Sequence, residues 1–240
     1  MPDAAKMRGD TETIESPALA STLVAYRSAF EHSWSDDDDL EQVRFCVLDC
    51  ETTGLDPKRH RIVSMGAVAV TEGQIDLGDH LEVLLRVRFN TAATLVHGIT
   101  RSETQSALEE SEALSALLRY LGDGVIVGHH IGHDLAMIDA ALARYGEERL
   151  RNRHLDTGQL TLALIEEGAF GPEPGLEDLS LDGLCRFFGV VPHDRHTAPG
   201  DAFLTALILL RLLRVAARSG RATLAELLRP PASNAYRHSP

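Results

Sequence analysis

A buried strand that ends in two acidic residues constrains this chain more than any other feature. Residues 45–48 are apolar, Asp49 and Glu51 follow them, and residues 52–54 form the next turn. Side chains alternate between the two faces of a strand, so Asp49 and Glu51 point to the same side. Such a pair repels unless a cation lies between the carboxylates, and all-oxygen ligands suit Mg²⁺ or Mn²⁺. The alternative is a helix-capping acid beside a solvated surface acid.

The composition limits the classes of protein that the chain can form. It has 240 residues, 44% of them hydrophobic, which suffices for one sizeable core. Its formal net charge of -13 argues against a protein that coats nucleic acid non-specifically. The charge is compatible with an enzyme that holds a few nucleotides of a polyanion through metal ions and nearby arginines.

The cysteines and the apolar segments predict a cytoplasmic protein with no membrane partner. Cys46 and Cys50 share one strand and lie about 13 Å apart, which is too far for a disulfide. The N-terminus is acidic and has no apolar run, so we expect no signal peptide. The longest apolar segment, 203–217, is interrupted by Arg211 and Arg214 and is too short to span a bilayer.

The hydrophobic periodicity predicts a mixed arrangement of strands and helices. Strands are expected at 43–50, 61–70, 81–88, 124–128 and just before Asp156. Helices are expected at 17–34, 102–121, 133–145, 157–167, 180–188 and 199–218. Strands that come first and then alternate with helices favour an α/β domain with a mixed sheet. The predicted parts are an N-terminal polar segment with a helix and an acidic linker (1–42), a core domain (43–220) and a C-terminal tail (221–240).

Several predicted helix ends carry capping signals. Thr100 and Glu103 form a capping box near the start of the helix expected at 102–121. Ser180 is expected to cap the helix that Gly189 ends. Asp156 comes directly before the helix at 157, so we interpret it as a cap and not as a metal ligand.

A second acidic segment follows the strand expected at 124–128. Asp134 lies in the first turn of the next helix, where it is either a third metal carboxylate or a charge that favours the positive helix end. The nearby His129, His130 and His133 are an alternative zinc set. The flanking glycines disfavour the helix that such a set needs, and His130 stands where a zinc protease needs Glu. We therefore favour the carboxylate.

The third segment opens the long helix expected at 199–218. Pro199 is typical of a helix N-terminus, and Asp201 then falls in the first turn. His196 precedes them in the loop. A histidine beside an acid and a metal pair is a plausible general base near neutral pH, whereas a surface histidine is the simpler alternative.

Together, the acids of these three segments are stronger evidence for a metal site than any one segment alone. Each lies at a strand end or a helix start; they are Asp49, Glu51, Asp134 and Asp201. A two-metal phosphodiesterase needs a carboxylate set of this kind to hold metals about 3.5–4 Å apart.

The three segments resemble, in order, the three motifs of the DEDDh exonucleases, the family that includes bacterial proofreading subunits. Residues 49–54 are similar to the first motif, 127–134 to the second, and His196 with Asp201 to the third in its DEDDh form. The likeness extends to 96–100 and 179–189, so it covers roughly residues 43 to 217. The core domain is thus identified as a DEDDh exonuclease domain.

This resemblance implies an RNase H-like fold, with a mixed five-stranded sheet flanked by helices. It implies removal of nucleoside 5′-monophosphates from the 3′ end of nucleic acid, with single-stranded DNA favoured and a DNA polymerase subunit as a potential partner. An exoribonuclease or oligoribonuclease of the same fold is the alternative.

The resemblance also assigns roles to residues. Asp49 would bridge two divalent cations, Mg²⁺ or Mn²⁺. Glu51 and Asp201 would complete the site of the cation that carries the attacking water, Asp134 would hold the second cation, and His196 would take the proton. The residues expected against the terminal nucleotide are Thr52, Thr53, Gly54, His97 and His129.

Two departures from the family pattern and two rival functions complete the prediction. His130 and His133 stand where the second motif usually has Asn and an aromatic residue, and they bear on substrate grip and sugar preference.

A histidine/aspartate metallophosphohydrolase would use His129, residues 133–134 and residues 193–194, but that fold is all-helical. A nucleic-acid accessory module with a decayed site is disfavoured because all the expected catalytic residues are present.

Overall fold

The computed structural model describes residues 14–87, 107–146, 149–172, 174–176 and 178–233. The strands are β1 Phe45–Thr52, β2 Ile62–Thr71, β3 Gln74–Leu84, β4 Val125–Gly128 and β5 His154–Asp156. The helices of the described residues are α1 Pro17–Ala29, α2 Glu110–Leu121, α3 Gly132–Ala143, α4 Thr157–Glu166, α5 Leu181–Phe188, α6 Ala198–Arg218 and α7 Leu224–Leu227.

The strands form one mixed sheet in the order β3-β2-β1-β4-β5. The β1–β2 and β2–β3 pairs are antiparallel, whereas β4 pairs in parallel with both β1 and β5. Helices cover both faces of the sheet. The predicted mixed five-stranded sheet flanked by helices is therefore confirmed, and β1 lies at its centre.

Two element starts differ from the prediction by more than two residues. β3 begins at Gln74 and not at 81, because Glu72 and Gly73 both have positive φ (52° and 68°) and close a tight hairpin directly after β2. Helix α2 begins at Glu110, because the preceding residues are extended and Leu108 pairs with the backbone at Leu84 and Arg86. The expected capping box at residues 100 and 103 lies outside the described residues.

The central strand is buried on both faces, and its alternation sets the direction of the acids. Phe45 and Val47 pack in a hydrophobic cluster with α4, α5 and α6, whereas Cys46 and Leu48 pack in a second cluster with α1, α2 and α3. Because side chains alternate, Asp49 continues the first row and lies on the α6 side of the sheet.

The described residues on either side of the core domain pack against it. Leu19 and Leu23 of α1 are buried in the second cluster. Residues 36–39, the expected acidic linker, accept backbone hydrogen bonds from α7. Within the expected tail, Arg221 is 1% exposed and pairs with Glu167, and α7 contributes the buried residues Leu224 and Leu227.

The structure also bears on the expectations about the cysteines and about membrane-spanning segments. The cysteines are buried and free, which confirms the absence of a disulfide between Cys46 and Cys50. None of the helices in the described part of the chain combines the length and the apolar character needed to cross a membrane.

Candidate active site

Three carboxylates converge at the C-terminal end of β1. Ligand oxygen atoms of Asp49, Glu51 and Asp201 all lie within 4.8 Å of one another. Asp201 is buried, and the two β1 acids are partly buried. No other set of three acidic, histidine or cysteine side chains in the described ranges converges in this way. The structure thus brings together three of the four predicted metal carboxylates.

Helix α6 delivers Asp201 to the sheet through a well-defined start. Thr197 caps the helix and accepts a hydrogen bond from the Gly200 amide at 3.2 Å. Pro199 follows within the first turn, as the sequence predicts, because its missing N–H and fixed φ suit that position. Asp201 is therefore held one turn into the helix, with its side chain against β1.

A glycine in β2 permits this close approach. Gly66 is the cross-strand partner of Asp49. A Cβ atom on Gly66 would lie 2.2 Å from the Pro199 nitrogen and 2.3 Å from the Ala198 carbonyl carbon. Both atoms belong to the backbone, so any larger residue at 66 must displace the first turn of α6.

The fourth carboxylate, Asp134, lies beside the group and is fixed by the strand itself. It sits in the first turn of α3, is 6% exposed, and its Oδ1 accepts a hydrogen bond from the Cys50 amide at 2.9 Å. Cys50 lies between the two β1 acids in the sequence, so Asp134 is anchored next to both. Its negative charge is one cause of the raised pKa of Asp49.

Asp156 is a structural cap, as predicted. Its Oδ1 accepts hydrogen bonds from the amides of Gly158 and Gln159, at 2.9 and 3.0 Å. Its Oδ2 accepts another from the Ile131 amide at 3.0 Å, which fixes the turn that leads into α3. The interpretation of Asp156 as a cap is therefore confirmed.

Sequence reasoning missed Arg195, which contacts the site directly. Its guanidinium pairs with Asp201 through Nη1 and with Asp182 of α5 through Nε, the latter at 2.7 Å. Its positive charge lowers the pKa of Asp49 and Glu51 and so opposes part of their mutual repulsion. The only signal in the sequence is its place directly before His196, because Arg195 lies in the turn before α6 and its partner Asp182 lies on α5.

The backbone of His196, the predicted base, contacts the carboxylate cluster. Its amide donates to Asp201 Oδ2 at 3.3 Å, its φ is 62°, and its side chain is exposed. The left-handed backbone conformation is uncommon for a residue with a side chain and often marks a functional position. The imidazole thus lies at the rim of the site and outside the carboxylate group.

His129, His130 and His133, the alternative zinc set, do not form a metal-binding group in the described part of the chain. His129 Nδ1 contacts Thr157 Oγ1 at 2.9 Å, and burial lowers the pKa of His129 to about 3, so it stays neutral. His133 Nε2 lies 3.5 Å from Thr52 Oγ1, and burial lowers its pKa as well. His130 has a φ of 57° and an exposed side chain. The zinc alternative is not supported by these positions.

The turn after β1 closes tightly beside the acids. Thr52 Oγ1 donates to the Gly54 carbonyl at 3.1 Å, and Thr53 Oγ1 accepts from the Arg61 amide at 3.0 Å. Gly54 has a φ of 156°, and a Cβ there would lie 2.6 Å from the His60 ring. His97, also expected at the substrate, lies outside the described residues.

The rival metallophosphohydrolase interpretation is wrong. Its fold is all-helical, whereas this chain has a five-stranded sheet at its centre. His193 and Asp194, which it would require in its metal site, are exposed.

Burial and mutual repulsion shape the electrostatics of the acids. Burial, followed by the charges of Asp201 and Asp134, raises the pKa of Glu51 to about 7. Burial, followed by the charges of Asp134, Asp201 and Glu51, raises the pKa of Asp49 well above its ordinary value. A set of carboxylate oxygens that Arg195 compensates only in part fits hard divalent cations and offers no soft ligand.

A sheet of this topology with acids at the end of its central strand defines an RNase H-like nuclease class. A family model described as Exonuclease matches residues 46–209, so the chain belongs to the exonuclease family, and its resemblance to the DEDDh exonucleases is confirmed.

Comparisons with individual proteins agree with this family. The chain is 28% identical to a PolC-type DNA polymerase III of Thermotoga maritima, over 80% of this chain but only 14% of that protein. It is 28% identical to the DNA polymerase III subunit epsilon of Aquifex aeolicus, over 73% of this chain and 83% of that subunit. E. coli exonuclease I, solved in complex with a dT13 oligonucleotide, matches with a TM-score of 0.63 at 19% identity, over 74% of this chain and 42% of that chain, and shows the same fold.

The crowding at Gly66 generates a prediction about the site. We expect Gly66→Ala to displace the start of α6, to destabilise the protein by about 1–3 kcal/mol, and to weaken its stabilisation by Mn²⁺ because Asp201 moves away from Asp49. Urea unfolding and melting curves with a Mn²⁺ titration measure both effects. Gly132→Ala is the control, because a Cβ at 132 meets nothing within 4 Å. An unchanged Mn²⁺ response in Gly66→Ala would contradict the proposed spacing.

The raised pKa values generate a prediction about pH. An acid whose pKa is higher in the folded chain than in the unfolded chain binds its proton more tightly when folded, so stability falls as pH rises between the two values. With the pKa of Glu51 raised to about 7, the melting temperature in EDTA should fall by several degrees as pH rises from about 4.5 to 7.5.

Excess Mn²⁺ should oppose this fall, because metal ligation favours the deprotonated carboxylates. Glu51→Gln is the diagnostic variant and should show a weaker pH dependence in EDTA. A wild-type melting temperature that rises steadily with pH in EDTA would show that the acids do not repel in the folded protein.

Proposed function

We propose that the protein is a metal-dependent 3′–5′ exonuclease that releases nucleoside 5′-monophosphates from single-stranded DNA ends. The convergence of Asp49, Glu51 and Asp201, with Asp134 buried alongside, carries this proposal. Membership of the exonuclease family supports it. The chain spans only 14% of its PolC-type relative, so the activity is inferred for this chain on its own site.

The donor set fits two divalent cations, Mg²⁺ or Mn²⁺. Asp49 would be shared between them, Glu51 and Asp201 would complete one position, and Asp134 would hold the other. When bound, the cations would activate a water molecule and stabilise the negative charge that develops on the phosphate. Burial of Asp49, followed by the acidic charge of its neighbours, raises its pKa, and this unfavourable environment for a carboxylate is the observation that favours cations at this position.

The protein's own hydrogen bonds hold the carboxylates in place. Arg195 contacts Oδ1 of Asp201, while the His196 amide contacts Oδ2, so both oxygens of this carboxylate are oriented. The Cys50 amide orients Asp134 in the same manner. Ligands fixed before binding lose little freedom when the site is loaded, which is the usual requirement of a catalytic constellation.

His196 would accept the proton of the attacking water. Its imidazole is exposed at the rim of the site, beside the carboxylate that its own amide contacts. A histidine titrates near neutral pH and can therefore both accept and release this proton under working conditions.

The terminal nucleotide would lie against the turn at residues 52–54 and His129. The Nε2 atom of His129 is buried and has no hydrogen-bond partner among the described residues. Buried polar atoms normally have partners, so a substrate group at this position would satisfy it.

A DNA substrate and a polymerase partner are supported by the relatives. The two curated relatives compared above are DNA polymerase III proteins, and the exonuclease I match was solved with an oligonucleotide of thymidines. Hydrolysis of a 5′-labelled single strand in Mn²⁺, with analysis of the ladder and of the released nucleotide, tests the reaction. A matched RNA strand tests the exoribonuclease alternative, and co-elution with the replicative polymerase of the source organism tests the partnership.

The first prediction of this proposal concerns the carboxylates. Asp49→Asn and Asp201→Asn should each lower the hydrolysis rate by at least about 10³, because a metal position contributes several kcal/mol of transition-state stabilisation. Both variants should stay folded, lose stabilisation by Mn²⁺, and melt higher than wild type in EDTA because one repulsive charge is gone. The exposed β3 residue Glu82 provides the control Glu82→Gln, which should behave as wild type. Normal turnover in either aspartate variant would sink the assignment.

The second prediction concerns the base. His196→Ala should lower the rate by about 10²–10⁴ and flatten the acidic limb of the pH–rate profile. His193→Ala is the matched control, because His193 is exposed in the same loop, three residues earlier. If the His196→Ala profile keeps its acidic limb, another group takes the proton.

A further inference from the structure

The loop between β1 and β2 carries a run of basic residues in a chain that is otherwise acidic. Residues 58–61 read Lys-Arg-His-Arg, and the chain has a formal net charge of -13. The side chains of Lys58, Arg59 and Arg61 are exposed. We call residues 55–61 the basic loop.

The cations of the basic loop have no acidic partner in the described part of the chain. Elsewhere, many arginines pair with carboxylates; examples are Arg44 with Asp79, Arg144 with Glu110, Arg153 with Asp36, Arg186 with Asp178 and Arg221 with Glu167. The one acid of the basic loop is Asp56, and its Oδ1 accepts a hydrogen bond from the Lys58 amide at 3.0 Å. The positive charge of the basic loop is therefore available to a ligand.

Backbone hydrogen bonds fix the basic loop beside the acidic cluster. The Thr53 amide donates to the Arg61 carbonyl at 2.9 Å, and the Asp56 carbonyl accepts from the amides of Arg59 and His60 at 3.0 and 2.9 Å. Thr52 pairs with Ile62 at the end of the strand that carries Asp49 and Glu51. The end of the basic run at Arg61 thus lies against the turn that follows the carboxylates of β1. The shape of the basic loop does not depend on the side chains of Lys58 or Arg59.

We propose that the basic loop binds the phosphodiester backbone of the nucleotides adjoining the 3′-terminal nucleotide. This inference rests on the proposed function and deepens it, because it names where the strand leaves the site. The acidic surface repels a polyanion over most of the chain, so a strand is favoured to leave along the exposed cations. Lysine and arginine contacts to phosphates of this kind are independent of base sequence.

Direct binding tests the basic loop. Lys58→Gln with Arg59→Gln should raise the Kd for a labelled single-stranded phosphorothioate oligonucleotide in Mn²⁺ by roughly tenfold at low salt. The slope of log Kd against log salt should become shallower by about 0.7 for each phosphate that the variant no longer neutralises. Fluorescence anisotropy over a range of salt concentrations measures both quantities without requiring hydrolysis.

A matched pair controls for net charge. Arg214 and Arg218 are exposed on α6, on the turns farthest from Asp201, and neither has a carboxylate partner among the described residues. Arg214→Gln with Arg218→Gln removes the same charge, so this double variant should bind as wild type does. Equal Kd and slope in the loop variant and in this control would overturn the proposal.

A small substrate separates this proposal from the proposed function. Thymidine 5′-monophosphate p-nitrophenyl ester has one phosphodiester and no neighbouring phosphate, so the loop variant should hydrolyse it at the wild-type rate. Failure of wild type to cleave the ester would count against the exonuclease and leave the anisotropy result standing. Loss of ester cleavage in the loop variant would show that the basic loop shapes the catalytic centre, which overturns the proposal of a separate backbone site.

Discussion

The repulsion among carboxylates at the end of β1 is the constraint on which the rest of this structure depends. Asp49, Glu51 and Asp201 lie within 4.8 Å of one another, and Asp134 is buried beside them. Left alone, this arrangement favours separation of the charges. The packing of the surrounding helices and strands must therefore stabilise the fold by more than this repulsion destabilises it.

That force comes from the packing on both faces of the sheet. β1 is held between two hydrophobic clusters, so its acids cannot move apart without disturbing a core. Gly66 lets α6 press directly on the sheet, and Arg195 ties Asp201 to α5. The stability of the hydrophobic core thus maintains a carboxylate site that is unfavourable in the absence of cations. This is a common arrangement at functional sites.

Much of this design could be predicted from the sequence, because the signals are local. The acid pair after an apolar run, the proline-led start of α6 and the caps at Asp156 and Ser180 each depend on a few neighbouring residues, and the structure reproduces all of them. The contact of Arg195 with Asp182 joins two separate elements, so no local pattern announces it. The role of Gly66 depends on its contact with α6, which the sequence near Gly66 does not indicate. The hairpin before β3 places Glu72 at a positive φ, a conformation that glutamate does not favour, so the sequence does not predict this turn.

Arg195 is mostly buried, whereas the cations of the basic loop are exposed, so dissolved salt screens the two to different extents. The side chain of Arg195 is only 21% exposed, so dissolved salt screens its pairing weakly, whereas Lys58 and Arg59 stand in solvent and are screened fully. Rising ionic strength would therefore weaken the proposed contacts of the basic loop with a strand, while the carboxylates at the end of β1 would keep their arrangement. On this proposal, ionic strength would set the affinity for a strand separately from the geometry of the acidic site.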